Sequence, residues 1–259
     1  MTQEERRLYL IKYLLNENEK YGDIEISSDK DAQKKLLRAL FNIRKPKSAS
    51  DEFIKIQDEY LKAEINEKGI TDYKTLKPIE NGIYLWQGDI TTLKCDAIVN
   101  AANSQLLGCF YPNHACIDNA IHTFAGIELR LECDKIMKAQ IFSEKTGGAK
   151  ITPAYNLPCK YVIHTVGPIV DFKLTKRNCE MLYSCYNSCL RLAEENGISN
   201  IAFCCISTGE FRFPNVKAAE IAIKAVKAYR AEANSKIEVI FNVFKDRDRE
   251  IYRELLTKN

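Results

Sequence analysis

Residues 97–119 read AIVNAANSQLLGCFYPNHACIDN, and this stretch decides how the rest of the chain is interpreted. Its first four residues, Ala97–Asn100, form a short apolar run of strand length. The residues that follow carry amides, two thiols, an imidazole and a carboxylate, and helical periodicity begins at Ile117. A strand, a polar loop and a helix in this order predict one unit of an α/β fold.

Short apolar runs and helical segments alternate in the same way from Gly82 onward. The predicted helices are Ile117–Gln140, Cys179–Asn196, Val216–Ala231 and Arg247–Leu255. Several of the apolar runs have no polar face, which is typical of strands in a sheet that helices cover on both sides. Ligands bind to such sheets in the loops beyond the carboxyl ends of the strands. The predicted strands are Ile83–Gln87, Ala97–Asn100, Tyr161–Val166, Ile201–Ile206 and Glu238–Phe244.

The first 80 residues follow a different pattern. They contain no cysteine, and their apolar residues recur at helical spacing in three groups. Thr2 with Glu5, and Ser28 with Asp31, fit the side-chain pattern that begins a helix. We therefore predict a helical N-terminal extension over residues 1–75, followed by a main domain over residues 76–259.

Composition excludes several classes of protein. Of the 259 residues, 46% are hydrophobic and 28% are charged, which is typical of a globular protein and not of a disordered or collagen-like chain. No apolar run approaches the roughly 20 residues of a membrane span. The net charge is 38 − 35 = +3, whereas a dedicated nucleic-acid binder usually has a stronger basic excess. We therefore expect neither a membrane nor a nucleic acid as a partner.

Ten cysteines and an N-terminus unlike a signal peptide favour a cytoplasmic protein with mostly reduced thiols. Three residues of the loop after Ala97–Asn100 have side chains that bind metals. Cys109, His114 and Cys116 combine thiolate and imidazole donors, which favours Zn2+. No fourth ligand is evident nearby, and three protein ligands leave one tetrahedral position open, as in catalytic zinc sites. The alternative is two packed thiols and a histidine that caps a turn.

Two other loops could bind a nucleotide. Small and hydroxyl residues at Ser207–Pro214 would present backbone N–H groups to a phosphate, and Phe211 and Phe213 could wall a sugar or a base. The alternative is an ordinary turn between strand and helix. In the third loop, Gly88–Thr91, Asp89 could accept a hydrogen bond from an exocyclic amino group. We expect the other two histidines to be packed and hydrogen-bonded; these are His122 and His164.

These loops, in this order, resemble the macrodomain family, the ADP-ribose-binding fold, over Gly82 to Tyr252. The usual run of glycines after the asparagine pair is replaced here by residues 108–119, which is the signature of a zinc-dependent microbial subclass with a helical N-terminal extension. The resemblance implies a three-layer α/β/α fold with a mixed, mostly parallel central sheet. It is carried by Gly88–Thr91, Asp96–Asn103, Tyr161–Pro168 and Ser207–Gly209 together with Phe211.

The subclass is known for hydrolysing mono-ADP-ribose from proteins, so the resemblance implies an enzyme that releases ADP-ribose. Some members are linked to a sirtuin that modifies a lipoyl-carrier protein, which makes such a carrier a candidate partner. By position, Asn103 and Asp118 would be catalytic. One Zn2+ would lie near the anomeric carbon of the ribose, with three protein ligands and an open position; the ligands would be Cys109, His114 and Cys116.

The same resemblance implies an ADP-ribose cleft. Asp89 and Ile90 would hold the adenine, and Asn100 and Asn103 would face the distal ribose. The pyrophosphate and its flanking sugar would be cradled by Ser207, Thr208, Gly209, Glu210 and Phe211.

Three other functions share these residues. The chain could be a reader module that binds ADP-ribose without cleaving it, or a hydrolase of small ADP-ribose derivatives. It could also be a structural zinc protein, for which a fourth protein ligand on the metal would be the sign.

Overall fold

The computed structural model describes residues 1–21 and 23–257, so the last two residues of the predicted main domain lie outside the described residues. Its central feature is a six-stranded sheet. The strands are β2 (Ile83–Gln87), β4 (Ala97–Ala102), β5 (Ala149–Pro153), β6 (Tyr161–Val166), β7 (Asn200–Phe203) and β8 (Glu238–Val243). Their order in the sheet is β2-β8-β7-β4-β6-β5, and all neighbouring pairs are parallel except β5 and β6.

The predicted fold class is confirmed by this mixed, mostly parallel sheet. Side chains of successive strand residues point to opposite faces, and Ala97, Ile98, Val99 and Asn100 of β4 are all fully buried. Both faces of the sheet are therefore covered. The helices of this region are α4 (Ile117–Ala125), α5 (Ile127–Gln140), α6 (Lys176–Glu195), α7 (Asn215–Glu232) and α8 (Asp246–Thr257).

The strand expected over Ile201–Ile206 ends at Phe203. Two larger differences concern a helix and a strand. The single helix expected over Ile117–Gln140 is two helices, because Gly126 between α4 and α5 has φ 99°, outside the helical region. A Cβ atom at this position would lie 2.6 Å from Nε2 of Gln57. The second difference is β5, an edge strand that pairs with β6 and whose mixed polar and apolar residues gave no strand signal.

The N-terminal residues form the three predicted helices, α1 (Gln3–Asn16), α2 (Lys30–Ile43) and α3 (Asp51–Lys68). Thr2 and Glu5 form the expected capping box, whereas α2 is capped by Asp29 rather than by Ser28. The three helices enclose a hydrophobic cluster of their own, which also includes Ile127 of α5. The boundary between residues 75 and 76 stays a prediction.

A two-stranded parallel sheet links the two regions of the chain. It pairs β1 (Thr71–Asp72), directly after the third helix, with β3 (Leu93–Lys94). No helix within residues 1–21 and 23–257 is long and apolar enough to cross a membrane.

Candidate functional site

The candidate site lies beyond the carboxyl ends of β4 and β7, which are parallel neighbours in the sheet. Because parallel neighbours end at the same edge, the loops that follow them come together. The clearest contact between these loops is an approach of 3.6 Å between Nε2 of His114 and Oε1 of Glu210. The structure thus brings the predicted metal loop, residues 108–116, close to the predicted phosphate loop, residues 207–214.

Cys109, His114 and Cys116 converge, with their ligand atoms all within 4.8 Å of one another. Sγ of Cys109 lies 3.6 Å from Nδ1 of His114. Zinc–sulfur and zinc–nitrogen bonds of about 2.3 and 2.0 Å at a tetrahedral angle place the two ligand atoms about 3.5 Å apart. The three side chains therefore fit a zinc ion. The other ring nitrogen of His114, Nε2, lies 3.6 Å from Oε1 of Glu210, which is beyond hydrogen-bond distance.

Local geometry explains how the metal loop reaches this shape. Asn113 has φ 56° and Gly108 has φ 78°, so the chain turns sharply at both positions. A Cβ atom on Gly108 would lie 2.7 Å from the ring of His122, so only glycine fits there without displacing that ring. Cys116 caps the N-terminus of α4, and its Sγ accepts a hydrogen bond from the N–H of Asn119 at 3.4 Å. Burial raises the pKa of Cys116 to about 12, although the hydrogen bond from the N–H of Asn119 acts in the opposite direction.

Asp118, the second residue of α4, is buried next to the metal loop. Its Oδ1 accepts a hydrogen bond from Nδ2 of Asn100 at 2.8 Å, and its Oδ2 accepts one from Nδ2 of Asn103 at 3.3 Å. Burial raises the pKa of Asp118 to about 6, although Asn100, Arg130 and Asn103 act in the opposite direction. One strand and one loop thus hold both carboxylate oxygens in place.

Asn100 is fully buried and makes its polar contacts inside the protein. Besides Asp118, its Nδ2 approaches Nδ1 of His164 at 3.2 Å, and its Oδ1 has no partner among the described residues. In this structure Asn100 therefore holds the carboxylate of Asp118 by a hydrogen bond, and its contact with a ribose stays a prediction.

The two other histidines lie in the same buried region. His164 is packed and hydrogen-bonded as expected, with Oγ1 of Thr152 3.0 Å from its Nε2. His122 is equally buried, but its ring nitrogens have no hydrogen-bond partner among the described residues. Burial, Arg130 and His164 hold the pKa of His122 well below its usual value, and its Nε2 lies 3.6 Å from Oδ1 of Asp118. Cys133, which the sequence did not single out, completes a buried group with both rings.

In the loop after β7, Ser207 has φ 66° and a buried hydroxyl without a partner among the described residues. A Cβ atom on Gly167 would lie 2.0 Å from this hydroxyl, so the absence of a side chain there leaves room for it. The backbone N–H of Phe213 donates a hydrogen bond to the backbone oxygen of Ser207 at 2.9 Å, and this bond closes the turn. Phe213 itself is 1% exposed and belongs to the core, so the expectation that it walls a sugar or a base is wrong.

Asp89, which follows β2, is already paired. Its Oδ1 accepts hydrogen bonds from the backbone N–H and Oγ1 of Thr91 at 3.0 and 2.6 Å. Its Oδ2 accepts one from Nζ of Lys68, in the last turn of α3, at 2.9 Å. Burial alone would raise the pKa of Asp89, but these hydrogen bonds outweigh it and lower the pKa. Ile90, the other residue expected at the adenine, has a buried side chain.

Sequence reasoning missed the cations that surround these loops, namely Arg38, Lys68 and Arg130. Lys68 lies 3.4 Å from the centre of the Phe124 ring as well as beside Asp89. Arg130 is buried and lies over the ring of Phe110 at 4.4 Å. None of them carries a local sequence signal, because each acts on residues far away along the chain.

Comparison with known proteins agrees with this geometry. The family profile described as Macro domain matches residues 99–222. A protein-ADP-ribose hydrolase of Treponema medium is 57% identical over 261 residues, covering 99% of this chain and 100% of the relative. One from Staphylococcus aureus strain MSSA476 is 48% identical over 253 residues, covering 97% and 95%.

Among solved structures, the Trypanosoma brucei macrodomain in complex with ADP-ribose aligns with a TM-score of 0.66 at 28% identity. The alignment covers 84% of this chain and 94% of that one. The architecture of the sheet, the loops at its edge and relatives that match nearly the whole chain all lead to one assignment. The chain belongs to the macro domain family and is one of its hydrolytic enzymes.

Proposed function

We propose that the protein removes mono-ADP-ribose from modified proteins, releases ADP-ribose, and uses a zinc ion held by Cys109, His114 and Cys116. The observation that carries the proposal is that the predicted metal ligands and a buried carboxylate lie close together at one edge of the sheet. A trio of side chains that fits zinc lies in the same short loop-helix unit as a buried carboxylate, Asp118, held by two amides. The names of the relatives favour hydrolysis over a reader module that binds without cleaving.

The cleft residues are assigned to the parts of ADP-ribose by their place at this edge. Ser207, Thr208, Gly209, Glu210 and Phe211 would cradle the pyrophosphate. The unpartnered hydroxyl of Ser207 supports this role, because a phosphate oxygen would accept its hydrogen bond.

Asp89 and Ile90 would hold the adenine. Lys68, which donates a hydrogen bond to the carboxylate of Asp89, would then either move away or bind it together with the adenine. Asn103 would fix the distal ribose near Asp118. Asn100 acts through Asp118 in this proposal, since the hydrogen bond between them is 2.8 Å long.

In the proposed reaction, a water oxygen bonds to the anomeric carbon of the ribose while the bond from that carbon to the carrier protein breaks. The carrier side chain leaves with the electron pair of that bond, and the proton that the water gives up balances its charge. Zinc, when bound, would lower the pKa of a water or hold a ribose hydroxyl. Asp118 would accept the proton of the water or stabilise positive charge that develops on the ribose. Asn103 would keep sugar and carboxylate in a fixed relation, which reduces the cost of reaching the transition state.

The carrier protein and the compartment are finer parts of the proposal. A lipoyl-carrier protein modified by a macrodomain-linked sirtuin is the partner to test first. A cytoplasmic location is proposed because a chain with ten cysteines, all of them unpaired thiols here, suits a reducing compartment.

The test is incubation with a mono-ADP-ribosylated lipoyl-carrier protein and with an unrelated mono-ADP-ribosylated protein. Released ADP-ribose is measured with and without a zinc chelator. We expect release that the chelator stops and added Zn2+ restores, with a faster rate on the lipoyl carrier. Binding without release would support a reader, and undiminished release after complete zinc removal would contradict the zinc role.

A further inference from the structure

The N-terminal helix α2 lies against residues 108–116, the segment that carries the three proposed metal ligands. We infer that Arg38 of α2 is a positioning residue for this segment. Its guanidinium holds the backbone at His114 in the shape that brings the ligand atoms together. The inference rests on the proposed metal site and gives the N-terminal helices a role in it.

Arg38 makes three hydrogen bonds to this segment and to the helix that follows it. Its Nη2 donates to the backbone oxygen of His114 at 3.1 Å. Its Nε and Nη2 also donate to Oδ1 of Asn119, at 3.1 and 2.8 Å. Asn119 in turn donates from Nδ2 to the backbone oxygen of Tyr111 at 3.0 Å. One guanidinium therefore fixes the segment at two points, directly at His114 and through Asn119 at Tyr111.

Asn42, one helical turn after Arg38 on α2, makes a second attachment. Its Oδ1 accepts a hydrogen bond from the backbone N–H of Asn113 at 2.9 Å, and its Nδ2 donates to Oγ1 of Thr123 at 3.0 Å. Asn113 has φ 56°, in the left-handed region that asparagine adopts more readily than most residues other than glycine. Asn42 thus fixes the sharp turn of the backbone directly before the ligand His114.

The start of the segment is joined to the end of α2 by Arg130 of α5. Nη1 of this buried side chain donates to the backbone oxygens of Phe41 and Arg44. Its Nε donates to the backbone oxygen of Leu107 at 2.7 Å. The N-terminal helix is therefore connected to both ends of the ligand segment.

These attachments matter because residues 108–116 contain no helix or strand. A segment without regular hydrogen bonding must be ordered by its neighbours, or it loses conformational entropy when the metal binds. Hydrogen bonds from a charged donor are stronger than neutral ones. Removing Arg38 therefore frees the backbone at His114 and weakens metal binding. Groups that hold metal ligands in place change affinity by roughly 10- to 100-fold when they are removed.

Two assays on the full-length chain test the role of Arg38. In the first, competition with a chromogenic chelator gives the Zn2+ affinity of wild type, Arg38→Ala and Arg38→Lys. We expect roughly tenfold weaker binding for Arg38→Ala. Arg38→Lys should recover only part of the loss, because an ammonium group cannot reproduce the planar fork of a guanidinium.

The second assay follows amide hydrogen exchange over residues 108–116 in metal-free protein. We expect roughly tenfold faster exchange in Arg38→Ala than in wild type, with exchange in β4 unchanged, because only the segment opens more often. Asn42→Ala, which removes the other α2 attachment, should shift exchange in the same direction and keeps the test valid if Arg38→Ala folds poorly.

The matched control is Arg6→Ala. It removes hydrogen bonds of 3.0 and 2.8 Å to Glu59 within the same group of N-terminal helices, so it should leave exchange over residues 108–116 at the wild-type rate. Unchanged exchange in both Arg38→Ala and Asn42→Ala, or an equal increase in Arg6→Ala, overturns the inference. The exchange assay is carried out without metal and therefore tests Arg38 separately from the proposed metal site. If the wild-type protein does not bind Zn2+, the proposed metal site is wrong, but the exchange rates still show whether Arg38 orders residues 108–116.

Discussion

At the scale of single residues, the proposed zinc ligands are the first to test. His114→Ala removes the imidazole donor and leaves two thiols, so zinc content and ADP-ribose release should both be lost. The fold and some affinity for ADP-ribose should remain, because Asp89 and the turn at Ser207 are held by other residues, although the 3.6 Å contact between His114 and Glu210 is lost. Metal analysis, calorimetry with ADP-ribose and the release assay measure the three quantities.

Gln105→Ala is the control for this substitution. Gln105 precedes the ligands in the same loop, but its exposed side chain donates to Oγ of Ser143 at 3.0 Å, away from the metal group. It should keep wild-type zinc content and release. A His114→Ala protein that still holds one zinc per chain would show that His114 is not a ligand.

The buried carboxylate is a second residue-scale test. Asp118→Asn keeps the shape of the side chain but removes its charge. The new amide group then points one N–H donor at the N–H donor of Asn100 or of Asn103. We expect release to fall by roughly 100-fold or more, within the range for a lost acid–base group. The free energy of unfolding should fall by less than the roughly 1–3 kcal/mol that an unpaired buried donor costs, because the substitution also removes a charge whose burial opposes folding.

Single-turnover release and urea denaturation check this second variant. Zinc content should stay at the wild-type level, since Asp118 is not among the proposed ligands. Release within a factor of two of wild type would exclude Asp118 from the catalytic step.

At the scale of elements, the break between α4 and α5 carries a stability prediction. Gly126→Ala places a Cβ atom 2.6 Å from Gln57 at φ 99°. Gly69→Ala is the matched control, since Gly69 has φ 87° but nothing within 4 Å of its added Cβ. Both substitutions strain the backbone by roughly 1–3 kcal/mol, so the additional loss at Gly126 measures the contact between α3 and the start of α5.

Urea denaturation of both glycine variants gives the two free energies of unfolding. Gly126→Ala should lose more stability than Gly69→Ala. Equal losses would mean that the contact at Gln57 contributes nothing beyond the backbone conformation.

Elements also show what the sequence could and could not predict. The parallel strands β4, β6, β7 and β8 were predictable because they are buried on both faces and read as apolar runs, and the edge strand β2 was predictable from its apolar residues. The edge strand β5 is less apolar and was missed. The α4–α5 break was missed because helical periodicity continues across Gly126, and the reason for the glycine is a contact with Gln57, 69 residues earlier in the chain.

At the scale of the whole molecule, the parts that sequence reasoning missed are those that depend on distant contacts. Cys109, His114, Cys116 and Asp118 lie within ten residues, so their convergence could be predicted. Arg38 meets Asn119 and the backbone of His114 from 81 and 76 residues away. Nothing near Arg38 in the sequence indicates those partners.

Ligand binding should stabilise the whole molecule in two separable steps. A ligand that binds only the folded state adds about 2.7 kcal/mol at 100 times its dissociation constant. A chelator should therefore lower the Tm of the protein as purified, and ADP-ribose should still raise the Tm of the chelated protein, because its adenine and pyrophosphate contacts lie outside the metal group. Differential scanning fluorimetry measures both shifts; a chelated protein that no longer responds to ADP-ribose would show that the cleft itself depends on the metal.

The most direct measurement of the central claim is anomalous diffraction at the zinc absorption edge from crystals grown with ADP-ribose. The account predicts one zinc peak bonded to Sγ of Cys109, His114 and Sγ of Cys116, with the fourth position open towards the distal ribose. No peak between these atoms, a fourth protein ligand on the metal, or a distal ribose bound far from it would contradict the account.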